Sequence, residues 1–72
     1  MADYDLTAAD KIAVIYSHIK NINYNKFNAE LVIVEENATS TPSTTKIADA
    51  NAQIDEADAQ IEALEAQITA LS

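Results

Sequence analysis

The sequence predicts an all-α fold: an antiparallel two-helix hairpin of coiled-coil type that assembles into a larger helical bundle. Three observations carry this. Ile47, Ile54, Ile61 and Ile68 recur every seven residues, and three positions after them come Ala50, Ala57, Leu64 and Leu71. An α-helix returns to one face every two turns, so residues 45–72 draw a single apolar seam along about eight turns. Glycine is absent and proline occurs once, at Pro42. A β-rich fold needs glycine at several tight turns, whereas a helical hairpin can manage with none. Finally, a turn centred near residue 40 makes Ile33 meet Ile47, Ile19 meet Ile61 and Ile12 meet Ile68. The same register sets Leu64 beside Tyr16 and Ile15, and small Ala57 against Ile22. An arbitrary pair of helices would not match in this way.

Taken in order, the chain divides into an extended N-terminal arm (1–6), a first helix (7–37), a loop (38–41) and a heptad-repeat helix (42–72), all within one domain. In the arm, Ala2, Tyr4 and Leu6 alternate with Asp3 and Asp5, the period of a strand. Six residues cannot make a sheet alone. Tyr4 and Leu6 are therefore expected to dock on a neighbouring surface, with a frayed terminus as the alternative.

Thr7-Ala8-Ala9-Asp10 is a helix start, because Thr7 can cap free N–H groups and Asp10 can bond back to it. Ile12, Ile15, Ile19 and Ile22 then keep one face. Beyond Ile22 the next seam positions are Lys26 and Ala29, while the larger apolar residues Tyr24, Phe27, Leu31 and Val34 lie sideways around the helix. Such a stutter is expected to change the winding or to transfer contact to another partner. Leu31-Val32-Ile33-Val34 is apolar around the whole circumference, which normally means burial on all sides. Thr41 followed by Pro42 reads as the cap and first turn of the second helix. Lys26, opposite Ile54, is expected to snorkel toward Glu30 or Asp55 and to fix the register at some cost in stability. His18 falls near Gln60, where a hydrogen bond is expected.

Seventy-two residues allow one small domain. Cores of this size usually need a disulfide, a metal or an oligomer. Cysteine is absent and the one histidine, His18, has no second nitrogen ligand to share a metal with, so oligomerisation is the expected remedy. The net charge is −8, and the region from residue 43 onward holds six of the twelve acids against one of the four lysines. Such a surface repels phosphate backbones, which argues against nucleic-acid and anionic-membrane partners. No apolar run is long enough for a transmembrane helix. The acidic N-terminus is unlike a signal peptide, so a cytoplasm-like compartment is expected.

Two features of the second helix lie off the seam. Asp55, Asp58, Glu62 and Glu65 follow a 3-4-3 spacing and make an acidic ridge. Without an accompanying His, Cys or glycine loop, this ridge reads as a solvated face or a contact for a basic partner. No catalytic, metal-binding or cofactor-binding residue is expected, and the chain does not read as an enzyme. Ala52, Ala59, Ala63, Ala66 and Ala70 form a small-residue strip away from the isoleucines. They either reflect helix propensity alone or offer a second close helix contact. The candidate partner surface therefore comprises Tyr4, Leu6, Tyr24, Phe27, Leu31, Val32, Val34, the alanines Ala59, Ala63 and Ala66, and the four acids of the ridge.

The runs Asp5-Leu6-Thr7-Ala8-Ala9-Asp10-Lys11-Ile12, Ser17-His18-Ile19-Lys20-Asn21 and Glu35-Glu36-Asn37-Ala38, followed by a Ser/Thr/Pro turn and a low-complexity heptad helix, resemble small helical-hairpin proteins encoded by tailed bacteriophages, marine cyanophages in particular. The resemblance spans the whole chain in style and transfers no functional residue. It implies a structural or assembly role in the virion, assembled in the host cytoplasm, with many copies lodged against larger proteins or one another. Two other roles stay open: an acidic inhibitor or DNA mimic that occupies a basic host protein, and a small chaperone or scaffold that leaves its client.

Overall fold

The computed structural model describes residues 4–72. Ala2 and Asp3 of the expected arm lie outside the described residues. Two helices, α1 (Ala8–Asn37) and α2 (Thr44–Leu71), pack against each other as a hairpin, and no strand occurs among the described residues. The extents are 61 × 18 × 14 Å, with a radius of gyration of 17.1 Å. A compact chain of this length would have a radius near 11 Å (a rough scaling value). The protein is a rod one helix thick and two helices wide.

The start of α1 follows the expected chemistry. Thr7 is the N-cap: its hydroxyl accepts from the Asp10 N–H at 3.1 Å, and the Asp10 carboxylate accepts from the Thr7 N–H at 3.0 Å. Two donors that would otherwise lack partners are thus satisfied by one reciprocal box, with the acid at the positive helix end. Before the cap, Tyr4 is 91% exposed and Leu6 is exposed as well.

The loop closes differently from the expected Thr41 cap. α2 begins at Thr44 with Ser43 as N-cap, and the Ser43 hydroxyl accepts from the Lys46 N–H at 3.2 Å. The cause lies across the turn. The Glu36 carboxylate, in the last turn of α1, accepts the Ser43 N–H at 2.9 Å and lies 3.8 Å from the Lys46 ammonium. Pro42 also biases Thr41 away from helical backbone. The connection is therefore Ala38–Ser43, two residues longer than the expected 38–41. On the near side, Ala38 ends α1 in ordinary right-handed backbone, and Thr39 donates both its N–H and its hydroxyl to the Glu36 carbonyl. No described residue has positive φ, so the turn has no need of the glycine that the sequence lacks.

Every expected seam residue is buried or half-buried: Ile12, Ile15, Ile19, Ile22 and Ile33 on α1, and Ile47, Ile54, Ala57, Ile61, Leu64, Ile68 and Leu71 on α2. The fully buried positions are Ala29, Ala50 and Ala57. With the turn between Asn37 and Thr44, Ala29 lies level with Ala50, so the middle of the rod is a close approach made by small residues.

Of the two outcomes expected beyond Ile22, the change of winding does not occur within the hairpin. Half-burial continues at 3-4 spacing through Lys26, buried Ala29, Ile33 and Glu36, and Tyr24, Phe27, Leu31 and Val34 remain exposed. A straight helix cannot present both stripes to one partner. Turning the aromatic stripe inward would need a rotation of about 120° and would carry the Ile12–Ile22 face out of the seam. Likewise, of Leu31-Val32-Ile33-Val34 only Ile33 is half-buried, because a two-helix rod can cover one side of α1 and no more.

Candidate functional site

The hairpin uses one stripe of each helix and leaves the rest to solvent. On α1 the remaining apolar residues gather in a second stripe. Tyr16 (59% exposed), Tyr24 (62%), Phe27 (56%), Leu31 and Val34 (62%) recur at helical spacing about 120° around from the isoleucines. Lys20 and Asn23 fall in the same stripe, and together with Tyr24 and Phe27 they wall a shallow, mainly apolar depression. Of the expected contact residues, Tyr24, Phe27, Leu31 and Val34 are thus brought together. Val32 is about a third of a turn away, on the opposite flank, and Tyr4 and Leu6 lie beyond the end of the helix.

The acidic ridge runs along the same flank of the rod. Tyr16 and Ile19 share a groove with Glu65, Ile68 and Thr69, so Glu65 borders the start of the aromatic stripe. Asp55, Asp58, Glu62 and Glu65 are all exposed. Asp58 is already engaged: its Oδ1 lies 2.6 Å from the Lys26 ammonium, which is 28% exposed. The expected partners of Lys26 were Glu30 or Asp55. Asp58 takes that place because it stands next to the seam, whereas Asp55 is a further step around α2. The hydrogen bond to Asp58 holds the Lys26 ammonium above the usual lysine range, assisted by the nearby Asp58 and Glu30 charges and opposed by partial desolvation.

The other flank is amide-lined. Asn25, Asn28, Gln53 and Gln60 border a groove of about 360 Å³ over Ile22 and Ala57. The expected contact between His18 and Gln60 does not form: Gln60 donates at 3.5 Å to Glu56 on its own helix, and His18 is exposed. Ala59, Ala63 and Ala66 are exposed on the outer face of α2.

Tyr16, expected beside Leu64 in the register, is exposed instead, and Lys20 is a surface residue to which the sequence pattern assigned no role. Their signal was present, because Tyr16, Lys20, Tyr24, Phe27, Leu31 and Val34 keep a 4-4-3-4-3 spacing. It was masked by the stronger isoleucine pattern beside it. Glu36 and Ser43, which close the turn, carry no comparable local signature.

Among the described residues, no group of His, Cys, Asp and Glu is placed to hold a metal ion, and no helix is long and apolar enough to cross a membrane. Comparison with protein-family models, with curated proteins and with solved structures found no match to this chain. What the arrangement offers chemically is an apolar face on one helix and a band of negative charge on the other.

Proposed function

We propose that this protein is a non-enzymatic structural or assembly component, a helical hairpin that works by packing against other proteins. The observation that carries this is the stripe on α1. Three aromatic and two aliphatic side chains stay exposed on a face of α1 that is turned away from the hairpin's own seam. Contiguous apolar surface of this kind marks contact sites on soluble proteins. The fully buried residues are three alanines, and the isoleucines are only half-covered, so a further packing layer would supply the core that the rod lacks. The setting we propose is a bacteriophage particle, assembled in the host cytoplasm, and this rests on the resemblance given above.

A mass-spectrometric inventory of purified particles tests the setting: the chain is expected there in many copies. Its absence from finished particles, despite abundance during assembly, would move it to the scaffold class. Absence from both would end the assembly reading.

The exposed ridge of Asp55, Glu62 and Glu65 favours a second reading, capture of a basic host protein. Asp58→Lys with Glu62→Lys would abolish such capture, and unchanged binding would refute it. The salt bridge from Lys26 already occupies one of the four acids, which makes this reading the weaker one.

A further inference from the structure

The stripe on α1 has a definite occupant. We infer that it is covered by the same stripe of a second copy, with the two α1 helices antiparallel about a two-fold axis between Tyr24 and Phe27. This rests on the assembly reading above and specifies its first contact.

Area is the first argument. The single hairpin exposes 5428 Å², against about 4,400 Å² expected for a folded monomer of this mass. The 61 × 18 × 14 Å rod shape accounts for part of this excess, and a standard interface removes roughly 800 Å² per partner. Three aromatic rings at the exposures observed present roughly 300–450 Å² of that. Leu31, Val34 and the flanking stems of Lys20 and Glu30 extend the face toward the required size.

Charge selects the orientation and the partner. α2 carries six acids and one lysine, whereas α1 carries four acids and three lysines. Two copies therefore repel least when α1 faces α1. Lys20, on the stripe, and Glu30, at its seam-side edge, lie about 8 and 7 Å to either side of the midpoint between Tyr24 and Phe27, at 1.5 Å per residue. Antiparallel pairing about that point brings Lys20 of each copy level with Glu30 of the other. Tyr24 then meets Phe27, and Tyr16 meets Val34. Among the described residues neither Lys20 nor Glu30 has a salt-bridge partner within its own hairpin. The contact is self-complementary, as a two-fold interface must be. A parallel pairing would instead set Lys20 against Lys20.

Sedimentation velocity on the full chain, from micromolar to millimolar concentration, tests the assignment. The expected result is a reversible dimer. Phe27→Glu should weaken it about thirtyfold or more, as for a central anchor, with helix content unchanged by circular dichroism. Lys20→Glu alone should weaken it, and Lys20→Glu combined with Glu30→Lys should restore it, because the swap regenerates both pairs. A chain that stays monomeric at millimolar concentration overturns the inference, as does a dimer indifferent to Phe27→Glu or a charge swap without rescue. None of these outcomes touches the particle inventory, so the assembly reading stands or falls separately.

Discussion

The Lys26 ammonium reaches across the hairpin to the Asp58 carboxylate at 2.6 Å, tying the one cationic seam position of α1 to the acidic ridge of α2. Lys26 sits where an isoleucine would continue the ladder, between Ile22 and Ala29. A polar residue at such a position gives up burial and gains selectivity, because only one register supplies its partner. Lys26→Ile is therefore expected to raise the thermal midpoint by several degrees while loosening register and oligomer state. Circular dichroism melts, with mass measurement of the same samples, check both effects. A lower midpoint would mean that the ion pair outweighs the burial.

The same pair gives a pH dependence with a definite sign. Bonding to Asp58 raises the Lys26 pKa in the folded state. The folded state then holds its proton more tightly than the unfolded chain, so the contribution is fully present below the ordinary lysine value of about 10.4. It is lost as pH rises through the higher folded value. Above about pH 10.4 the wild type should lose more stability than Lys26→Met. Comparison with the variant isolates the part that belongs to Lys26. Parallel alkaline limbs in denaturant titrations of the two proteins would rule the contribution out.

At the turn, the Glu36 carboxylate takes the Ser43 N–H, a contact that unites the end of one helix with the cap of the next. A negative charge is unfavourable at the C-terminal end of α1 and favourable at the N-terminal end of α2, and here the second position is the one that Glu36 serves. Glu36→Ala should cost about 1.5–2 kcal/mol, in keeping with a charged hydrogen bond, and Ser43→Ala about 1 kcal/mol as a lost cap. Thr41→Ala should stay within about 0.5 kcal/mol. Urea titration of the three variants ranks them, and a Thr41 effect larger than that of Ser43 would contradict this turn.

The close approach at Ala29 and Ala50 has little room to spare, each being 3% exposed. Ala50→Leu should force the helices apart and cost about 1–3 kcal/mol. Ala59→Leu, on the outer face of α2, should change stability by less than about 0.5 kcal/mol. Chemical denaturation distinguishes the two sites. Equal costs would place the alanine strip at a contact of its own.

The fold was legible in the sequence because its information is local and periodic. The heptad spacing of Ile47 to Ile68, the box of Thr7 and Asp10, and the arithmetic of a short turn each act over a few residues, and the hairpin obeys all three. The interaction stripe was half legible. Tyr24, Phe27, Leu31 and Val34 stood out by size, yet Tyr16 and Lys20 did not, since their membership depends on which face the isoleucines consume.

By itself, then, the sequence determined that the chain is two helices, which residues make the seam, and that the turn lies between them. Only the tertiary structure decided that the seam runs unbroken through Lys26 and Ala29, that Asp58 and not Asp55 or Glu30 is the partner of Lys26, and that Ser43 in place of Thr41 starts the second helix. The reason is the same in each case. Helical periodicity fixes a residue's direction around its own axis, whereas which of two neighbouring acids or hydroxyls is engaged depends on what the opposite helix brings within hydrogen-bonding reach.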